Sequence, residues 1–330
     1  MNTVASTPPP QFDALLAVEK FPLRGIFHPL GFAVEIETNS SEILLAAQES
    51  WGEHTSLGGA AQSYEVLRLR IGVTPCAAAE CPPAVSVRAF GHLLSIVADA
   101  ENFVVCDLQQ GLAFGWINEA CLCHRGYFRY HFLEAAVMCL LVGTRATPIH
   151  AACVSHNGRG MLLCGESGAG KSTLAYACAR AGFAYTTDDT SYLVWPGEAP
   201  RVRGNAHQVR FRPSARELFP ELRGLSVTPR AAGKPSIEVR TSELPGIMKA
   251  PEVAVHTVVL LCRHEDAEME LVPLPQGQAM PHLEATLFPM NGIRERQALP
   301  LRILRDIPAY ELHYRDLDTA VARLQQLCRE

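Results

Sequence analysis

The stretch GESGAGKS, residues 165–172, constrains this chain more than any other part of it. Gly165, Glu166, Ser167, Gly168, Ala169, Gly170, Lys171 and Ser172 match G-x-x-x-x-G-K-[ST] in full, and Thr173 comes next. Glycines and small residues at this spacing let successive backbone N–H groups turn inward around a polyphosphate. The helix after the loop offers unsatisfied donors and the positive end of its dipole to the same anion. The flanks agree: the apolar segment 161–164 reads as the strand before the loop, and STLAYACARAG, 172–182, as the helix after it. Gly182 suits the left-handed position that ends such a helix. In a loop of this kind Lys171 reaches the β- and γ-phosphates of a nucleotide, and the Ser172 hydroxyl coordinates Mg2+. Upstream, Asn157-Gly158 signals a hairpin, because a type I′ turn needs positive φ at both central residues. Residues 149–155 and 161–164 are therefore expected as paired strands, with His150 on the first.

The segment after the helix narrows the class. FAYTTDD, 183–189, reads as a strand directly after the helix, and Asp188 lies seventeen residues (188 − 171) beyond Lys171. Neighbours in a strand face opposite sides. One aspartate can then serve a metal while the other accepts the proton of an incoming hydroxyl, a division that suits phosphoryl transfer. Three readings stay open. The first is a kinase acting on a hydroxyl of a peptide or small protein. The second is a kinase for a small molecule such as free serine. The third is a P-loop ATPase that regulates by conformation and has no acceptor.

Charge separates the partners these readings allow. Lys and Arg number 29 against 34 Asp and Glu, a net −5, which does not mark a nucleic-acid-binding surface. Residues 201–240 depart from this, with nine Lys/Arg against three Glu, a local +6. Guanidinium groups suit phosphates and acidic peptides. Only Phe211 and Phe219 interleave them, so single-stranded nucleic acid is not expected. Eleven cysteines, an odd number with no C-x-x-C, point to reduced thiols in the cytoplasm rather than to a disulfide framework or a zinc site. The start, MNTVASTPPPQ, lacks the pattern of a signal peptide. FLEAAVMCLLVG, 132–143, is too short to span a bilayer and reads as a buried helix, so no membrane association is expected. The patterning divides the chain into three segments: a flexible N-terminus 1–20, a β-rich module 21–125, and an α/β unit 126–330 that holds the loop. The sequence allows a homo-oligomer.

His150, GESGAGKS and Asp188-Asp189 together resemble the C-terminal domain of the HPr kinase/phosphorylase family. In that family a His near the start of a strand pair precedes a G-[DE]-S-G-x-G-K-S loop and a strand ending in Asp-Asp. The likeness covers about residues 147–190. The ending IPAYELHYRDLDTAVARL, 307–324, resembles the closing strand and helix of the HPr-kinase-related kinases found beside peptide-modification genes. The resemblance implies a P-loop kinase core of HPr kinase/phosphoenolpyruvate carboxykinase type behind a β-rich N-terminal module, using ATP and Mg2+. It implies Asp188 as the base that accepts the proton of a serine hydroxyl, His150 as its assistant and Asp189 beside the metal. The downstream signature linked to phosphorylase activity is not matched by residues 204–227. Lys234 and Arg263 are the candidates for the family's downstream catalytic cation.

Overall fold

Alternation of apolar and polar residues builds the first sheet. In a computed structural model, residues 20–57, 64–76, 80–195, 199–227, 235–264, 266, 268–288 and 292–329 are described. The expected flexible N-terminus, apart from residue 20, and Lys234 lie outside them. Seven strands pair in the order Leu23–Phe27, Val34–Thr38, Leu67–Thr74, Leu112–Asn118, Phe103–Asp107, Leu93–Val97, Ser86–Phe90. Val34–Thr38 and Leu67–Thr74 run parallel, which requires a crossover, and helix Ser41–Trp51 supplies it. This helix buries Ile43, Ala46, Ala47 and Trp51 on the sheet.

The helical run 119–144 covers the same face. Phe128, Phe132, Leu133, Val137, Leu140 and Leu141 join the core of the first sheet, so the run that the sequence assigns to the second unit from 126 onward packs here on the first. One turn of it, Arg129–Glu134, is π-helical. Such turns are rare and re-aim side chains. Among the described residues no helix is long and apolar enough to cross a membrane.

The second sheet is mixed, and three parallel strands sit at its centre: Arg159–Cys164, Glu252–Arg263 and Ala309–Tyr314. Helices Lys171–Arg180 and Leu317–Leu327 bury Leu174, Tyr176, Val321 and Leu324 on one face. The other face packs against the segment that holds Leu283, Leu301 and Leu304. The hairpin forms as the turn chemistry predicts: Asn157 has φ 52° and Gly158 φ 78°, between paired strands Ala151–His156 and Arg159–Cys164. Gly182, at φ 94°, ends the helix after the loop. One expectation is corrected. His150 is not in the hairpin. It occupies a bend between Ala146–Ile149, which pairs with Ser191–Val194, and Ala151–His156, which pairs with Arg159–Cys164.

Arg203 ties the two sheets together. It is 2% exposed; its guanidinium pairs with Glu252 at 2.7 Å and donates to the carbonyls of Leu30 at 3.2 Å and Leu57 at 3.0 Å. It also stacks over the Phe32 ring at 4.3 Å.

Candidate active site

In a sheet with parallel strands, ligands collect beyond the carboxyl ends of the strands. Here Arg159–Cys164 runs into the glycine-rich loop at that end, with Arg263 and Tyr314 closing the neighbouring strands. Gly168 and Gly170 hold φ of 99° and 91°, a conformation L side chains rarely adopt. Gly170 is also the N-cap of helix Lys171–Arg180, and a Cβ there would lie 2.7 Å from the Tyr314 hydroxyl. Tyr314 donates that hydroxyl to the Ala169 carbonyl at 3.0 Å, pinning the loop to the strand. Gly168→Ala, with open space around it, is expected to cost about 1 kcal/mol. Gly170→Ala should cost at least about twice that, since overlap with the hydroxyl adds to backbone strain. Thermal melts of the two variants check this, and equal shifts would remove Tyr314 from the account.

Lys171 folds back over the loop. Its Nζ donates to the carbonyls of Gly165 at 2.7 Å and Glu166 at 3.1 Å. Burial lowers its pKa from the usual lysine value, and Asp189 opposes the shift. The Ser172 hydroxyl donates to the backbone carbonyl of Asp188 at 3.2 Å. These residues line a cleft of about 410 Å³, together with Ser167, Thr173, His150 and both aspartates. Arg210, Arg212 and Arg263 line it as well. Of the two cations proposed from sequence, Arg263 thus reaches the cleft.

The two aspartates differ in environment. The strand expected to carry them ends at Thr187, so both lie in a bend before Ser191–Val194. Asp188 is 6% exposed. Its carboxylate accepts from the Tyr185 hydroxyl at 2.9 Å and from the Arg210 backbone N–H at 3.3 Å. Burial pushes its pKa up to about 6; Asp189 adds to this, while Tyr185 and Arg210 oppose it. Asp189 is more than half exposed. His150 Nδ1 lies 3.3 Å from the Asp189 carboxylate, so the structure sets His150 against Asp189 rather than against Asp188, the partner the resemblance implies. Burial and then Lys171 lower the His150 pKa, and Asp189 opposes them.

Tyr185 has no motif to announce it. Three residues before Asp188, it would face the other way in a regular strand. The pairing with Ala151–His156 slips between Tyr185 and Thr187, and this extra residue reverses the alternation, bringing hydroxyl and carboxylate together. A second cleft, also about 410 Å³, lies on the other side of the aspartates. Asp188, Asp189 and Arg210 belong to both. Its far wall comes from the first unit: Ser50, Trp51 and His54 around helix Ser41–Trp51, and Arg129 and Glu134 from the π turn. Arg129 donates to Ser50 and Glu134 at 2.9 and 3.0 Å, which fixes that wall.

No protein-family model matches the chain, and no curated protein matches it. Among solved structures it is similar to the Hpr(Ser) kinase/phosphatase from Coxiella burnetii, at 13% identity and a TM-score of 0.28, over 55% of this chain and 96% of that one. At this TM-score the likeness carries no inference about site or activity.

Proposed function

We propose that this chain is an ATP-dependent phosphotransferase in which Asp188 accepts the proton of an acceptor hydroxyl. The observation that carries the reading is the position of Asp188. It is a buried carboxylate, with its pKa pushed up to about 6, in the wall shared by the glycine-loop cleft and the inter-unit cleft. A base works best when its pKa lies near the working pH.

The loop fits a polyphosphate. Gly168 leaves open space where a Cβ would stand, and the Lys171 ammonium has only loop carbonyls as hydrogen-bond partners among the described residues. Loop amides, Lys171 and Arg263 would hold the phosphates, and Ser172 with Asp189 would hold Mg2+. When bound, the ion would neutralise charge on the phosphates. In transfer, the acceptor oxygen bonds to the γ-phosphorus as the bridging bond to ADP breaks, and the hydroxyl proton passes to Asp188. His150 orients the Asp189 carboxylate.

Lys171→Ala is expected to weaken ATP binding and to slow transfer about a hundredfold or more. Calorimetry with a non-hydrolysable ATP analogue, beside a turnover assay, tests it. Wild-type-like binding and turnover would end the nucleotide reading.

For the acceptor we propose a serine hydroxyl of a peptide or small protein, supported by the sequence resemblance. One observation favours a second reading, a small hydroxyl compound such as free serine. Arg201, Arg203, Arg210 and Arg240, from the basic segment that would dock a peptide, pair with Glu252, Glu238 and Glu53, while the second cleft lies between the two units. A salt series separates the two, because the Debye length falls from ~10 Å at 0.1 M to ~3 Å at 1 M. A peptide docked on arginines should show a KM that rises with salt. Phosphorylation of free serine with candidate peptides untouched would select the small acceptor.

A further inference from the structure

Four side chains with metal-binding chemistry stand together on two parallel strands and just past the end of one of them. Cys262 and His264 are two apart at the end of Glu252–Arg263, and Glu311 and His313 are two apart on Ala309–Tyr314. The register sets Cys262 directly opposite His313. Residues two apart on a strand share a face. Leu312 and Tyr314 lie on the other face, buried in the core beneath the loop helix.

The donor atoms of Cys262, Glu311 and His313 all lie within 4.8 Å of one another. The Cys262 thiol donates to Glu311 Oε1 at 3.2 Å, and His313 Nε2 lies 3.0 Å from the same oxygen. The His264 ring stands 6.4 Å from the His313 ring, at 23° to it. Ligands around a tetrahedral zinc ion, with bonds of about 2.0–2.3 Å, are separated by about 3.3–3.5 Å. Two of the three separations, 3.2 and 3.0 Å, are close to this spacing, and the third is no more than 4.8 Å. All three side chains are partly exposed, so an ion can enter from solvent.

We propose that Cys262, Glu311 and His313 form a binding site for a divalent cation of zinc type, with His264 beside it as the fourth group. Thiolate and imidazole select zinc-like ions over magnesium or calcium. Binding forms a zinc–sulfur bond and releases the thiol proton to water. The cysteine spacing, which argues against a zinc site, hides this one because it uses a single cysteine. The next residue along each strand meets the nucleotide loop: Arg263 lines its cleft, and Tyr314 holds the Ala169 carbonyl.

The test uses the full chain, stripped with a chelator and titrated with ZnCl2 against a fluorescent zinc indicator, then with Co2+ under reducing conditions. The expected result is one zinc bound per chain and a thiolate-to-cobalt absorption band. Cys262→Ser should abolish the band, and His313→Ala should weaken zinc binding about tenfold or more. Cys81→Ser, at an exposed cysteine elsewhere, should change neither. Should Cys262→Ser fail to fold by circular dichroism, Glu311→Gln gives the same reading through its zinc affinity. No bound equivalent at micromolar zinc, or binding unchanged in these variants, overturns the site.

Discussion

Replacing Asp188 by asparagine should leave ATP binding intact and slow phosphoryl transfer by about 10²–10⁴, the range for loss of a general base. Asparagine fits the site without orphaned groups. Its Oδ1 can accept from the Arg210 N–H, and its Nδ2 can donate to the Tyr185 oxygen while the Tyr185 proton turns fully to the Gln208 carbonyl, now 3.0 Å away. The wild-type rate should fall as pH drops through about 6, where Asp188 takes up its proton, and the variant should lose this dependence. Stability carries an independent signature. The folded-state pKa lies above the unfolded one, raised from 3.8 to about 6, so the folded protein binds this proton more tightly. The stability it gains is full below pH ~4 and is lost as pH rises through about 6, a swing on the order of 3 kcal/mol. At pH 8 the asparagine variant should therefore melt no lower than wild type. Single-turnover transfer, nucleotide titration and melts at pH 5 and 8 check all three. Collapse of ATP binding with a normal rate per bound nucleotide would make Asp188 a metal ligand and exchange the roles of the two aspartates.

Arg203→Ala should be the most damaging substitution away from the aspartates. It removes a buried guanidinium that Glu252 and the carbonyls of Leu30 and Leu57 share, and breaking a buried pair costs about 3–5 kcal/mol. That corresponds to a melting temperature lower by on the order of 10 °C. Arg201 still pairs with Glu252 at 2.8 Å, which keeps the loss towards the lower end. Arg203→Lys should recover only part of it, because an ammonium cannot span three acceptors in a plane. Leu30 forms part of the second cleft, so Arg203→Lys should raise the KM for the acceptor and leave that for ATP nearly unchanged. Equal changes in both constants would separate the first unit from the acceptor site.

Local chemistry was legible in the sequence, and long-range geometry was not. The loop, the Asn157-Gly158 turn and the Gly182 stop are each set by a few adjacent residues whose φ values have physical causes. The Tyr185 contact depends on a slipped register with a strand about thirty residues earlier in the chain, which no alternation pattern reveals. His150 meets Asp189 because the chain bends between two strands, and a continuous apolar run gives no sign of that bend. Arg203 appears in sequence as one charge of a basic segment, and only the fold buries it. The second cleft joins residues 50–54 and 129–134 to residues 188–210, a juxtaposition that belongs to tertiary packing alone.

The central claim is that the γ-phosphoryl group of ATP leaves the glycine loop for a hydroxyl positioned at Asp188. It is tested most directly by following that group. Purified chain is incubated with Mg2+, [γ-32P]ATP and either free serine or a library of serine-containing peptides, with Lys171→Ala and Asp188→Asn in parallel. The predicted result is label in a phosphate monoester on a hydroxyl with wild type, and about a hundredfold less of it, or lower still, with either variant. Label recovered only as inorganic phosphate, at equal rates with and without acceptor and undiminished in Asp188→Asn, would contradict the account and leave a nucleotide hydrolase in its place.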